Sequence, residues 1–218
     1  MIDTIVFDLD GTLLDTLYDL YLCTNDILRQ FDCKERTFEE IRQFVGNGIK
    51  KLIERALPET KKDLLEEAYQ QFIPHYDIHK SDHTKPYKEI DLLLEELNKR
   101  NFKMAIVSNK VDHAVKELCT PLFGKYIHVM LGETEKILKK PAPDMVYEAL
   151  KQLNSKVENT LFVGDSETDV LTANNAHIKV CGVEWGFRGK EILQQLKIDY
   201  LIQTPLQLLD ILNKEENK

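Results

Sequence analysis

The stretch Thr4-Ile5-Val6-Phe7-Asp8-Leu9-Asp10-Gly11-Thr12 decides the fold. Its first half is a short apolar run of the kind that fills a strand covered on both faces. Asp8 and Asp10 stand two residues apart, so a strand continued from Thr4 to Asp10 would aim both carboxylates to one side. Gly11 then lets the chain turn sharply away. Paired carboxylates at a strand's far end have the chemistry of a nucleophile, a metal ligand or a general acid/base. Set against that is the plain reading, since Asp-x-Asp also occurs in surface loops without function.

From Asp15 the period changes. Leu17, Leu20, Tyr21, Thr24, Ile27, Leu28 and Phe31 recur at helical spacing. Thr37 and Glu40 make a capping box that opens a second helix through Phe44. Gly46-Asn47-Gly48 reads as a turn, Ile49 to Leu57 as a third helix ended by Pro58, and Thr60 to His79 as one long amphipathic helix. Beyond residue 80 strands alternate with helices. The strands fall at Phe102 to Ser108, Ile127 to Leu131, Thr160 to Gly164, Ile178 to Val183 and Tyr200 to Ile202. The helices fall at Glu89 to Arg100, Asp112 to Cys119, Pro143 to Leu153, Glu167 to Asn174, Gly189 to Leu196 and Pro205 to Leu212. Such alternation predicts an α/β fold built from βαβ units on a parallel sheet. Between Thr12 and Ser108 lie 95 residues. One crossover uses only about 20 to 30 of them, leaving an excess of roughly 65 to 70. That excess matches the strand-free stretch, so residues 15–80 are expected to form a helical domain inserted into a core made of 1–14 and 81–218.

Composition narrows the function. A net charge of −8 argues against a general nucleic-acid or anionic-membrane surface, though not against a small anionic ligand. No apolar run approaches the roughly 18 residues of a membrane span. The start Met1-Ile2-Asp3-Thr4 lacks a basic region leading into an apolar one, so no secretory signal is expected. Four scattered cysteines with no Cys-x-x-Cys read as reduced thiols, and the expected location is cytoplasmic.

Three further sites fall at expected strand ends or beside them, where open α/β sheets place their ligands. Ser108-Asn109-Lys110 offers a hydroxyl and an amide to phosphoryl oxygens, or is simply a turn and N-cap. Lys140 precedes Pro141 and Pro143, a rigid exit that fixes where its ammonium reaches; alone it would be a solvated loop lysine. Gly164-Asp165-Ser166-Glu167-Thr168-Asp169 carries two acids suited to Mg²⁺, or else a helix cap with a dipole-stabilising acid. The steps from 108 to 140 and from 140 to 165 are 32 and 25 residues, both plausible βαβ lengths. His75, His79 and His83 read as a solvated linker, Gly132 to Ile137 as a loop, Leu92 to Leu94 as core, and Lys214 to Lys218 as a frayed tail.

In this order the four sites resemble the haloacid dehalogenase superfamily of phosphotransfer enzymes. The resemblance covers Met1 to about Leu14 and Pro86 to Leu212, and the insertion matches the family's α-helical cap domain on a Rossmann-like core. It implies that Asp8 attacks phosphorus to form an aspartyl-phosphate and that Asp10 acts as acid and then base. It further implies that Thr12, Ser108 and Asn109 hold oxygens, and that Lys140 neutralises charge. Mg²⁺ is implied as cofactor, with Asp8, Asp165 and the backbone carbonyl of Asp10 at the metal and Asp169 beside it, either as an outer ligand of the ion or as the charge partner of Lys140. Aspartate at position 10 favours phosphoester chemistry over dehalogenation.

Within the superfamily the chain is most similar to the phosphoglycolate phosphatase group, through Val45-Gly46-Asn47-Gly48, Trp185-Gly186-Phe187-Arg188 and Tyr200-Leu201-Ile202 with Pro205, Leu208 and Leu209. The resemblance implies a small phosphorylated metabolite as partner, 2-phosphoglycolate first. Physically, the Gly46-Asn47-Gly48 turn opens backbone N–H groups at a helix start, suited to a substrate carboxylate; Lys50 and Lys51 stand beside it. A plain tight turn is the alternative. Phosphatases for pyrophosphate, nucleotides or sugar phosphates share much of the pattern. A phosphosugar mutase, marked by need for a bisphosphate activator, is a rival. So is a phosphoacceptor switch, marked by a long-lived phosphoprotein. No nucleic acid or membrane partner is expected, and oligomeric state is not legible.

Overall fold

In chain order the first elements are β1 (Thr4–Phe7), β2 (Leu14–Asp15), α1 (Leu17–Gln30), α2 (Phe38–Phe44), α3 (Ile49–Ala56), α4 (Leu65–His79) and β3 (Lys85–Pro86). Then follow α5 (Ile90–Lys99), β4 (Lys103–Val111), α6 (Asp112–Phe123), β5 (Val129–Glu133), α7 (Asp144–Gln152) and β6 (Thr160–Gly164). The last are α8 (Glu167–Asn175), β7 (Lys179–Val183), α9 (Gly189–Leu193), β8 (Tyr200–Ile202) and α10 (Gln207–Glu216). The computed structural model describes residues 1–216. The chain divides into two compact units, Met1–Leu14 with Pro86–Lys218, and Asp15–Lys85.

The first unit is a Rossmann-like α/β layer structure. Six strands form one sheet in the order β5-β4-β1-β6-β7-β8, with every pairing parallel. Alternate residues of each strand feed two separate cores. Ile5, Phe7, Met104, Ile106, Leu161 and Val163 point to one face, where α5, α6 and α10 cover them through Leu94, Val115 and Leu208. Val6, Ala105, Val107 and Phe162 point to the other, against Met145 and Ala149 of α7 and Val170 of α8. Two covered faces explain why these strands are apolar throughout rather than alternating. β1 sits between β4 and β6: the chain goes from β1 to β4 and β5 on one side, then crosses to β6, β7 and β8 on the other. That is the switch point, beyond whose C-terminal strand ends open α/β sheets bind their ligands.

The second unit is helical. α1 packs on α2, α3 and α4, and its core includes Leu20, Ile27, Ile41, Leu52, Ile53 and Phe72. The capping box read from Thr37 and Glu40 is present. Among the described residues no helix is long and apolar enough to cross a membrane.

Several expectations need correction. The first strand stops at Phe7 rather than Asp10, because the N–H groups of Thr12, Leu13 and Leu14 all turn back onto the Leu9 carbonyl. The long helix from Thr60 is a 3₁₀ segment, Glu59–Leu64, kinked at Lys61, followed by α4. The helical period alone does not separate the two. The boundary of the helical unit lies at Lys85, not residue 80. Gly132 and Glu133 end a strand rather than begin a loop. Leu92 is 58% exposed and not core, whereas Leu93 and Leu94 are buried. Of the histidines, His75 and His79 lie on α4 rather than in a linker and bond Asp26 and Asp82, whereas His83 lies exposed in the segment after α4, as expected, and bonds Asp19. The tail is helical through Glu216, and Asn217 and Lys218 lie outside the described residues.

Candidate active site

Asp8 leaves the sheet one residue past β1, its N–H donating to the Val163 carbonyl of β6 at 2.9 Å. Gly11, at φ +88°, is where the chain reverses. A Cβ there would lie 2.5 Å from Asp165 Oδ2, so only glycine lets the turn pass this close to the acid. The two arms of the first motif therefore sit against the end of β6.

Lys140 is the hub. Its Nζ donates to Asp8 Oδ1 at 2.6 Å and to Asp169 Oδ1 at 2.7 Å, and all three side chains are buried. Asp169 is also the third residue of α8, and its Oδ2 accepts from Ser166 N at 3.0 Å and Ser166 Oγ at 2.7 Å. The helix-cap reading and the charge-pairing reading of this acid are thus both realised, one on each oxygen. Asp165 Oδ2 accepts from the Phe187 N–H at 2.6 Å. Among the described residues, Asp8 Oδ2 and Asp165 Oδ1 are left for a ligand.

The carboxylates of Asp8, Asp165 and Asp169 offer oxygens within 4.8 Å of one another. Lys140 touches Asp8 and Asp169 but not Asp165, and with all three acids ionised its single ammonium would leave two negative charges uncompensated inside the protein. Burial, reinforced by Asp169, pushes the Asp8 carboxyl well above the usual carboxylate range despite the opposing pull of Lys140. Burial and Asp169 likewise raise Asp165 to about 7, against the Phe187 N–H. Burial disfavours the Lys140 ammonium, yet Asp169 and Asp8 outweigh it and hold the group charged, shifted above its ordinary range. Hard oxygen donors with two surplus negative charges fit a divalent cation such as Mg²⁺. The side chain of Asp10 is not part of this cluster.

Ser108-Asn109-Lys110 is not a turn: it lies within β4. The pairing with β5 runs Val107↔Leu131 and resumes at Val111↔Glu133, so β4 carries two extra residues opposite this point. The bulge brings both Ser108 and Lys110 onto Asp10, with Lys110 Nζ 2.9 Å from Oδ1 and Ser108 Oγ 3.4 Å from Oδ2. Asn109 Nδ2 donates to the Lys140 carbonyl at 3.0 Å and so fixes the backbone that carries the lysine. Thr12 Oγ1 is enclosed with no hydrogen-bond partner among the described residues, and the Thr12 carbonyl accepts from Trp185 Nε1 at 3.0 Å.

Asp8, Asp10, Thr12, Ser108, Asn109, Lys140, Asp165 and Asp169 all belong to the first unit. Gly46 and Asn47 belong to the second. Gly46 and Gly48 have positive φ, and Asn47 Oδ1 accepts from Arg55 Nη2 at 2.8 Å. Lys50 and Lys51 pair with Glu66 and Glu54. Sequence reasoning assigned nothing to Lys110, Ser166 or the Gly186-Phe187 backbone. A lysine two residues after Ser108 was visible, but the bulge that turns it was not.

The family model for haloacid dehalogenase-like hydrolases matches residues 5–183. A phosphoglycolate phosphatase of Aquifex aeolicus (strain VF5) is 31% identical over 96% of this chain and 96% of its own. The pyrophosphatase PpaX of Anoxybacillus flavithermus (strain DSM 21510 / WK1) is also 31% identical, over 97% of each chain. A solved structure from Lactobacillus delbrueckii subsp. bulgaricus, assigned as a phosphoglycolate phosphatase, superimposes with a TM-score of 0.88 at 31% identity, covering 94% of this chain and 96% of that one.

Proposed function

The chain belongs to the haloacid dehalogenase-like hydrolases, and from that premise we propose that it is a phosphatase that cleaves 2-phosphoglycolate through an aspartyl-phosphate on Asp8. The observation that carries this reading is the buried Lys140 ammonium shared between Asp8 and Asp169, with Asp10 standing beside it as a second, separately held acid.

One oxygen of Asp8 attacks phosphorus and the bond from phosphorus to the ester oxygen breaks. The departing alkoxide takes the proton of Asp10, giving glycolate and a phosphorylated Asp8. Asp10, now a carboxylate, takes a proton from water, whose oxygen attacks the same phosphorus. The bond to Asp8 then breaks, releasing phosphate and restoring both acids. Lys140 offsets charge on Asp8 and on the phosphoryl oxygens, while Ser108 and Thr12 supply hydroxyls toward the same place. Asp8, Asp165 and the Asp10 carbonyl would hold Mg²⁺, which when bound offsets the negative charge of phosphoryl and carboxylate oxygens. Both Asp169 oxygens are committed, so its part is to hold Lys140.

We assign the helical unit, Asp15–Lys85, the role of a cap that selects the leaving group, through the turn at Gly46, Asn47 and Gly48. Asn47 Oδ1 is held by Arg55, so that turn acts through its shape and backbone. The four cysteines are free thiols, which suits the reducing cytoplasm where we place the enzyme. Pyrophosphate is the second reading, favoured by the equal identity to a pyrophosphatase.

The test is phosphate release, with Mg²⁺, from phosphoglycolate, pyrophosphate, nucleoside monophosphates and hexose phosphates. The expected result is a kcat/KM for phosphoglycolate at least about tenfold above the rest, lost by several orders of magnitude in Asp8→Asn. A maximum on pyrophosphate replaces the first reading by the second. Need for a bisphosphate activator makes the chain a mutase, and a stable phosphoprotein without release makes it a switch.

A further inference from the structure

Lys110 is a buried lysine that takes no part in the bond-making and bond-breaking steps at Asp8 and Asp10. Its Nζ reaches Asp10 Oδ1 at 2.9 Å, and its side chain is 3% exposed against 21% for Asp10. It is brought there by the two extra residues of β4, an irregularity at the point where the strand passes Asp10. Gly132 on β5 accommodates it: a Cβ there would lie 2.6 Å from the Lys110 carbonyl and 2.5 Å from Asp112 Cα. Asp112 Oδ1 in turn accepts from the Gly132 N–H at 3.0 Å, closing the bulge. Such irregularities re-aim side chains next to working sites.

The two oxygens of Asp10 are therefore unlike. Oδ1 accepts a short bond from an ammonium that has only protons to give. Oδ2 has only the 3.4 Å contact from Ser108 Oγ, near the limit of a hydrogen bond, and remains open to another partner. An acid that must deliver a proton to one oxygen of a bound ester does so faster when its own carboxyl group is held in a fixed orientation.

We propose that Lys110 is the positioning residue for proton transfer: it anchors Asp10 Oδ1 so that Oδ2 alone carries the proton to the leaving oxygen and later takes one from water. The proposal rests on the phosphatase reading above. The balance is unchanged: Lys110 keeps its protons throughout, and the proton that moves is the one on Oδ2.

The consequence depends on the leaving group. An alkyl phosphate such as phosphoglycolate needs the proton when its ester bond breaks, whereas p-nitrophenyl phosphate departs as a stable phenolate and does not. General acid catalysis is typically worth about 10²–10⁴-fold. Lys110→Met, which keeps the length of the side chain without charge, is expected to lower kcat/KM for phosphoglycolate about a hundredfold. It should change kcat/KM for p-nitrophenyl phosphate less than about fivefold, because that ratio stops at phosphorylation of Asp8. With p-nitrophenyl phosphate kcat itself should fall, since water attack still needs Asp10, and a burst of one nitrophenolate per site should appear. Equal loss of kcat/KM on both substrates, or no loss on either, overturns the proposal. If Lys110→Met does not yield folded protein, Lys110→Arg carries the same comparison. Its bulkier head cannot place a nitrogen at the same point, so the alkyl-to-aryl ratio should fall there too, and an unchanged ratio overturns the proposal. Wild-type protein that releases phosphate from neither substrate defeats the phosphatase reading instead, which keeps the two failures apart.

Discussion

Lys140 Nζ lies 2.7 Å from Asp169 Oδ1 while the other oxygen of Asp169 is taken by Ser166 N and Oγ, so the acid opening α8 is spent on holding a lysine. Asp165, by contrast, keeps Oδ1 open. Asp169→Asn should weaken Mg²⁺ binding by about ten- to a hundredfold, as loss of an outer partner does. Its kcat should stay low at saturating Mg²⁺, because Lys140 is no longer fixed. Asp165→Asn should weaken Mg²⁺ binding more, with activity partly recovered by excess metal. Calorimetric Mg²⁺ titration of both variants checks the order, and the reverse order would make Asp169 a direct ligand.

The acidic cluster sets a pH dependence. Asp165 rises to about 7 through burial and Asp169, while an unfolded aspartate titrates near about 3.9. Between those values the folded chain binds more protons than the unfolded one, so stability falls as pH rises. The Asp8 shift has the same sign. In EDTA the melting temperature should therefore decline from about pH 5.5 to about pH 8, a range where ordinary carboxylates are ionised in both states. Saturating Mg²⁺ should reverse the slope, because the ion binds the deprotonated acids. Thermal unfolding across pH with and without metal measures this, and parallel curves would remove the cluster as a metal site.

Gly186 is where no side chain fits. A Cβ there would stand 2.2 Å from Asp165 Cβ and 2.5 Å from the Gly11 carbonyl, both parts of the site rather than yielding side-chain ends. Gly186→Ala should cost about 1 to 3 kcal/mol of stability, the usual range for overpacking. It should weaken Mg²⁺ activation more than it raises KM, since the atom pushed away is Asp165. Activity titrated against Mg²⁺ separates the two, and a wild-type metal curve would show that the loop after β7 moves without disturbing the acid.

The parts of this site that were legible in the sequence are local. Asp8, Lys140 and Asp165 announce themselves because strand ends, prolines and glycines are short-range signals, and their order along the chain fits one sheet. The role of Lys110 was not legible because it depends on a register shift between β4 and β5, which no residue of β4 encodes alone. Asn47 looked available to a ligand because its partner, Arg55, is eight residues away across a turn of unknown geometry. The stop of β1 at Phe7 was missed for a related reason. Leu9 fits a strand by hydropathy, and only the three N–H groups converging on its carbonyl end the strand early.

Asp19 makes a prediction for the helical unit. It lies in the first turn of α1, 1% exposed, yet its partners are residues 64 and 65 positions later. Oδ1 accepts from His83 N at 3.0 Å and bonds His83 Nδ1 at 2.8 Å. Oδ2 accepts from Thr84 N and Thr84 Oγ1, each at 2.8 Å. One buried carboxylate thus ties the start of the helical unit to its end, just before the chain runs on into β3. Asp19→Ala removes the acceptor for two backbone N–H groups at once, and each stranded donor costs about 1 to 3 kcal/mol. A loss near 3 kcal/mol corresponds to a fall of roughly 6–12 °C in melting temperature for a chain of this size. His83→Ala should do far less, under about 1 kcal/mol, because it deletes a half-exposed imidazole pair and leaves both N–H bonds intact. Asp19→Asn should fall between them, keeping one good acceptor oxygen. Thermal unfolding of the three variants reads the order directly. If His83→Ala were as damaging as Asp19→Ala, the imidazole rather than the backbone bonds would be what fastens the two ends.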